Sequence, residues 1–291
     1  LFRSRPMDFL PLPDNAARQF IDACTVFDKH ARTLQESRRF EGGMYWKRQG
    51  TYEYLVRTGK DNRQHRLGQR SVETEPVYAE FTQRKQALQE RLRSLRAALT
   101  EAERMNKAVK VGRVPATVIA VLQALDGAGL SAHFTVVGTH ALYAYEAAAG
   151  VRIVQGALAT QDVDLLWDAR KRVRFLTDLQ KAQTSMLGVL QRADRSFQRK
   201  EEQNETAIND KGFEVDFLRR QPVDEDPHPF RFSADEGDLW PVQAVRGDVL
   251  TQAPRFERMV VSSTGRMALM TTIDPKVFTT FKSWMSQLPQ R

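Results

Sequence analysis

Cysteine occurs once in the 291 residues, at Cys24, which excludes an internal disulfide framework and any cysteine-rich zinc site. Histidine is nearly as sparse, and His30, His65, His133, His140 and His228 show no paired metal-ligand spacing. There is no long uncharged apolar run and the mean hydropathy is -0.50, so no segment is expected to span a membrane. The first residues, Leu-Phe-Arg-Ser-Arg-Pro, are too charged for a secretory signal. A reducing cytoplasm is the expected setting.

What is present is ordinary globular material, 41% hydrophobic, 27% charged and 9% aromatic, which rules out wholesale disorder. The length suits about two domains with a full buried core. The net charge of +8 is unevenly placed. Residues 1–113 hold 23 Lys and Arg against 14 Asp and Glu, whereas residues 114–291 hold 21 against 22. Such asymmetry points to an anionic partner for the N-terminal third, nucleic acid before membrane. A well-solvated helical surface explains the same charge as readily.

The first third reads as an accessory module, residues 1–113. Ala17, Phe20, Ile21, Ala23, Cys24 and Phe27 recur at helical spacing within residues 14–40, and Gly42-Gly43 breaks the pattern. Residues 44–57, rich in aromatic and β-branched side chains around Gly50, predict a hairpin or small ribbon. A basic polar run (Lys60, Arg63, His65, Arg66, Arg70) follows, and Pro76 suits the first position of a helix. From Val77 to Lys110, Phe81, Leu88, Leu92, Leu95, Leu99 and Ala102 form a stripe on a helix about 50 Å long. The heptads suit a short coiled-coil dimer seam, but packing against another helix of the same chain is the simpler expectation. Gly112 and Pro115 end it, a further helix runs to about Leu125, and the domain boundary falls near Arg113.

The chemistry lies in residues 114–291. A strand over His133–Val137 runs into Gly138-Thr139 and a helix Ala141–Ala149 closed by Gly150. Such a turn lets backbone approach a bound group, and a Thr hydroxyl at a helix start offers donors to phosphate. Next, Asp162 and Asp164 alternate with Val163 and Leu165, so both carboxylates leave one face of a strand. Side by side they repel unless a cation lies between them, and hard ions such as Mg²⁺ accept oxygen-only ligands. Two solvated aspartates at a strand edge are the commoner origin of an isolated D-x-D. A third acid shifts that balance. Residues 205–218 read as two strands joined by the turn Asn209-Asp210-Lys211-Gly212, with Asp216 flanked by Val215 and Phe217. A neighbouring antiparallel strand is expected to bring it beside Asp162 and Asp164.

This order of strand, Gly-Thr, helix, D-x-D strand and acid-bearing strand resembles the nucleotidyltransferases of the DNA-polymerase-β superfamily. The wording of residues 136–146 and 159–167 is similar to a stand-alone bacterial nucleotidyltransferase family within it. The likeness extends to Gly50–Leu55, Leu67-Gly68, Gly112–Pro115, and Asp274–Phe278 leading to Lys282 and Trp284. It departs in having Thr139 where Ser is usual, and such proteins often continue past the Lys282 helix, soon after which this sequence reaches Arg291. The resemblance implies an α+β fold: a polymerase-β-like core, a mixed sheet with helices, preceded by the helical module with its small β-ribbon. It implies two Mg²⁺ ions on Asp162 and Asp164, one shared with Asp216, which also orients the attacking hydroxyl. Gly138 and Thr139 would hold the nucleotide phosphates, with Lys282 reaching the triphosphate, although surface solvation explains Lys282 as well.

The implied activity is transfer of a nucleoside monophosphate from an NTP to a hydroxyl. The acceptor is expected to be RNA, a tRNA 3′ end included, held by the basic module through Lys47, Arg48 and Arg57 among Tyr45, Trp46, Tyr52 and Tyr54. A protein-modifying enzyme, or a catalytically silent nucleotide sensor that binds nucleic acid, are the alternatives. His140 is expected as a first-turn helix residue, residues 262–265 as a hairpin turn, Trp167 and Trp240 as core or groove wall, and residues 221–238 as a polar loop.

Overall fold

In a computed structural model, residues 9–59, 62–154, 160–220 and 231–287 are described, and the statements below concern these residues. Lys60, Asp61, Ala159, the first residues and positions 221–230 of the expected polar loop lie outside them. The chain divides into two compact units, one of residues 18–105 and one of residues 1–17 with 106–291. No helix is long and apolar enough to cross a membrane.

In the smaller unit, α1 (Asp14–Ser37) and α2 (Thr74–Ala108) flank the strands β2 (Gly43–Gln49), β3 (Tyr52–Thr58) and β4 (Gln64–Gln69) in chain order. Leu88, Leu92 and Ala102 of the predicted stripe are buried, as are Phe20 and Ala23 of α1. The Gln19 amide reaches the Ala102 carbonyl oxygen at 3.4 Å, and Leu34 and Leu88 line one groove, so the stripe faces α1 of its own chain. Pro76 is the third residue of α2, not the first. The Ser71 hydroxyl accepts from the Glu73 and Thr74 amides, starting the helix earlier, and a first-turn Pro lacks only an N–H that has no helical acceptor. The ribbon has three antiparallel strands in the order β2-β3-β4. His65 and Arg66 of the basic run lie in β4, an edge strand whose side chains are mostly exposed, which hides the alternation that marks a half-buried strand.

The larger unit is built on a mixed sheet. Its order is β5 (Phe134–Val137), β7 (Asp162–Trp167), β10 (Glu214–Arg220), β9 (Gln203–Ile208), β8 (Gln198–Lys200), and β11 (Val242–Ala244) also pairs with β10. Helices α3 (Ala116–Gly127), α4 (Leu142–Ala149), α5 (Arg172–Ala182), α6 (Met186–Ala193) and α7 (Gly247–Gln252) belong to this unit. So do β1 (Phe9–Pro11) paired with β6 (Val151–Ile153), and the hairpin β12 (Arg255–Val261) and β13 (Met267–Ile273) followed by α8 (Pro275–Met285). This is the α+β fold the sequence led us to expect, with the residue 262–265 segment inside the β12–β13 turn.

Alternation in β7 and β10 sends Val163, Leu165, Trp167, Val215 and Phe217 to one face of the sheet. There Phe134, Trp167, Phe175, Phe217 and Phe232 pack edge to face with centroids 5.2–6.0 Å apart. Each ring contributes on the order of 2 kcal/mol by burial. Trp167 is therefore core. Asp238, from the expected polar loop, is fully buried: it accepts from the Met186 and Leu187 amides and from the Ser233 hydroxyl, and so caps α6.

Residues 112–115 lock the entrance to this unit. A Cβ at Gly112 would lie 2.0 Å from the Val261 carbonyl oxygen, so only glycine allows that approach. Arg113 forms a two-pronged pair with the buried Glu146 and donates to the Ile153 carbonyl oxygen at 2.8 Å. Glu146 also accepts from the Ile153 amide at 2.7 Å. Val114 bridges to Ser262, and Pro115 caps α3. Replacing Arg113 with Met leaves a buried carboxylate without its cation, and urea denaturation should show a loss of about 3 kcal/mol.

Candidate active site

Three carboxylates meet on the face of the sheet opposite the aromatic core. β7 and β10 are parallel partners, with Asp164 in register with Asp216 and Asp162 with Glu214. One ligand oxygen from each of Asp162, Asp164 and Asp216 lies within 4.8 Å of the others, and all three residues are half-buried. The expected antiparallel neighbour is thus corrected to a parallel one. After β7 the chain runs through α5 and α6, re-enters the sheet at β8 and reaches β10 by way of β9, and such a crossover restores strand direction.

Strand β5 brings the Gly-Thr turn to the same place. Val137 pairs with Asp164, so the next residue, Gly138, sits against that carboxylate. Gly138 has φ +70°, and a Cβ built on it would lie 2.1 Å from Asp164 Oδ2. Backbone conformation and the nearness of the carboxylate both require glycine here. Thr139 opens a short 3-10 turn into α4 and is half-buried. His140 is buried between the Tyr143 and Phe213 rings, with Nδ1 3.5 Å from the Thr160 hydroxyl. Burial lowers its pKa, with the nearby Asp162 opposing.

Lys282 lies on α8. Asp274 caps that helix by accepting from the Lys276 and Val277 amides, and Pro275 fills its first position. Phe278 docks with Val137, Leu166 and Ile273, and Lys282 follows one turn later. Its ammonium is exposed yet close enough to pull the Asp164 pKa downward.

Burial and then the charges of Asp162 and Asp216 push the Asp164 carboxyl up to about 6. Burial also raises the Asp216 carboxyl, with Glu214, Asp162 and Glu205 adding to the effect. The Thr206 hydroxyl opposes this by donating to Asp216 Oδ1 at 2.5 Å. Sequence reasoning misses Thr206. Its signal is the hairpin turn at residues 209–212, which sets Thr206 opposite Asp216 in the β9–β10 register.

The acceptor candidates lie in the smaller unit and are not one cluster. Lys47 faces Tyr54 across the β2–β3 register, while Arg48 and Arg57 leave from the other face of the ribbon. Arg57 stands 4.2 Å over the Phe81 ring and donates to the Gly43 and Arg39 carbonyl oxygens. Trp46 packs on Tyr78, whereas Tyr45 and Tyr52 are exposed, and Arg66 lies 3.1 Å over Tyr54.

A family model described as nucleotidyltransferase matches residues 116–291, more than half of the chain. The protein belongs to that nucleotidyltransferase family. No curated protein and no solved structure matches the chain. The matched segment of the nucleotidyltransferase contains the three aspartates, Gly138, Thr139 and Lys282; the ribbon lies outside it.

Two outcomes are expected of the metal-free nucleotidyltransferase. Because the folded Asp164 pKa is raised, its contribution to stability is fully present below the ordinary carboxylate pKa of 3.8 and is lost as pH rises through about 6. Asp164→Asn should therefore be more stable than the wild type above that range, by about 1–3 kcal/mol in thermal or urea melts, with the difference fading in acid. Gly138→Ala should displace the Asp164 carboxylate, and any divalent-ion binding by the three aspartates should be weakened by roughly tenfold or more in calorimetry.

Proposed function

We propose that this nucleotidyltransferase joins the α-phosphorus of an NTP to an acceptor hydroxyl and releases pyrophosphate, on a core of the DNA-polymerase-β superfamily. The observation that carries the reading is the convergence of three carboxylates from two parallel strands beside a strand–Gly–Thr–helix turn.

The donor set fits a hard divalent cation such as Mg²⁺. It consists of carboxylate oxygens only, and their mutual repulsion is of the kind a cation relieves. Asp162, Asp164 and Asp216 would hold it, with two ions as the proposed number. Bound there, divalent metal supplies neutralisation of the triphosphate and a lowered pKa for the acceptor hydroxyl.

The rest falls to the chain's own groups. Gly138 lets the turn approach the β- and γ-phosphates, and the Thr139 hydroxyl donates to them. Lys282 contributes a mobile positive charge to the same phosphates. Asp216, fixed by Thr206, orients the acceptor hydroxyl and takes its proton as the oxygen–phosphorus bond forms and the bond to pyrophosphate breaks.

For the acceptor we propose RNA, a tRNA 3′ end being the model substrate, held by the basic module proposed to span residues 1–113. The open face of the ribbon supports this, since Tyr45, Lys47, Tyr52, Tyr54 and Arg66 offer stacking surfaces beside cations. Arg48 adds charge from the other face. Arg57, already engaged with Phe81 and two carbonyl groups, serves to hold the ribbon. The cytoplasm is its proposed location.

Pyrophosphate release with each NTP and Mg²⁺, with and without cell RNA, tests the activity. Release should vanish on chelation and in Asp162→Ala or Asp216→Asn while the fold persists. Retained turnover in Asp162→Ala would overturn the three aspartates as the catalytic centre, and no release from the wild type with any NTP would sink the enzyme reading. RNA affinity should fall steeply with salt. Replacing Lys47 and Arg66 with Ala should reduce the logarithmic slope by roughly 0.7 for each phosphate no longer neutralised, leaving NTP affinity alone. RNA affinity that is absent or insensitive to salt would favour a protein acceptor.

A further inference from the structure

The β7–β10 register places four carboxylates on one sheet face, because Glu214 stands opposite Asp162 as Asp216 stands opposite Asp164. Only three of the four belong to the converging group. The fourth, Glu214, is drawn aside by Lys200, whose Nζ donates to Glu214 Oε1 at 2.7 Å. Both side chains are partly shielded, 34% exposed for Lys200 and 26% for Glu214, so the pair is less screened than a surface contact. Lys200 comes from β8, beyond β9, while its neighbour Arg199 turns to the Glu236 and Asp238 carbonyl oxygens. Glu214 is nonetheless near enough to raise the Asp216 pKa, so its charge is felt at the site.

We propose that Lys200 is a positioning residue that sets the ligand number of the metal centre: by holding Glu214 it keeps a fourth carboxylate out of the Asp162–Asp164–Asp216 ring. This rests on the metal-site reading above. Mg²⁺ keeps a small octahedral shell with several waters, whereas Ca²⁺ accepts six to eight oxygens in looser geometry. A ring of three carboxylates favours the smaller ion. A released Glu214, in register with Asp162 and next but one to Asp216 in the same strand, adds carboxylate oxygen and favours the larger.

The test is calorimetric titration of the full chain with Mg²⁺ and separately with Ca²⁺, with no nucleotide. Wild type, Lys200→Met, Lys200→Gln, Glu214→Gln and the Lys200→Met/Glu214→Gln double variant are compared. Both Lys200 variants should tighten Ca²⁺ roughly tenfold relative to Mg²⁺, and the double variant should return the ratio to that of the wild type. Two replacements of a partly exposed strand residue guard against one of them failing to fold. A lost surface cation alone would tighten both ions equally, so an equal shift overturns the proposal, as does no shift. Those results leave the metal site standing, provided that Asp164→Asn abolishes wild-type binding. If the wild type binds neither ion in an Asp164-dependent way, the metal-site reading itself falls, and this proposal with it.

Discussion

The structure around the site depends on holding like charges together. Cross-strand register is the device: Asp164 and Asp216 are paired residues of adjacent parallel strands, and Asp162 lies two positions before Asp164 on the same face. Neither separation nor rotation is free to relax, because Val163, Leu165, Val215 and Phe217, the alternate residues of the same strands, are buried on the other face. Moving an aspartate outward means pulling an apolar neighbour from the core, at a cost comparable to the repulsion relieved. The unfavourable electrostatics are therefore stored in the sheet, and on the proposed reading a bound cation recovers them.

The surroundings follow from that constraint. The glycine turn lets Asp164 sit against bare backbone, which removes water from one side and adds to the desolvation that raises its pKa. Thr206 works in the opposite sense, stabilising the ionised form of Asp216 with a donated hydrogen bond. The two carboxylates thus differ in environment although they share one site. Helix α8 is anchored by Phe278 in the smaller apolar cluster, so the Lys282 charge is presented from a fixed helix, its Nζ 5.8 Å from the Phe278 ring centroid.

Much of this was legible from sequence because the decisive patterns were strict. Period-two alternation in residues 162–167 and 213–218 gave both the core face and the acid face, and Gly138 marked the turn through its place between a strand and a helix. Strand direction was not legible, since alternation is the same for parallel and antiparallel neighbours and only the long connection decides. β4 escaped notice because a strand with little burial on either face shows no hydrophobic period. Asp238 read as a solvated loop acid, whereas its two oxygens accept from three donors; such capping depends on tertiary placement and leaves no local signature. Lys200 was equally hidden, for its partner lies across an intervening strand.

Charge placement across the sequence has a physical rationale in the same constraint. Residues 114–291 are close to neutral overall and concentrate carboxylates at the site, a field that repels polyanions. The RNA acceptor proposed above must approach this field, and on the same reading the nearby cations are committed, Lys200 to Glu214 and Lys282 to the triphosphate. The attraction that offsets the repulsion has to come from other residues of the chain. The basic excess lies entirely within residues 1–113, and its ribbon exposes tyrosines and cations together on one face. On the proposed reading, separating the two charge distributions in sequence lets the aspartates stay close enough for metal while acceptor affinity is set elsewhere. The proposed acceptor affinity then responds to salt, whereas the proposed metal affinity, set by short carboxylate spacings, responds to the ring itself.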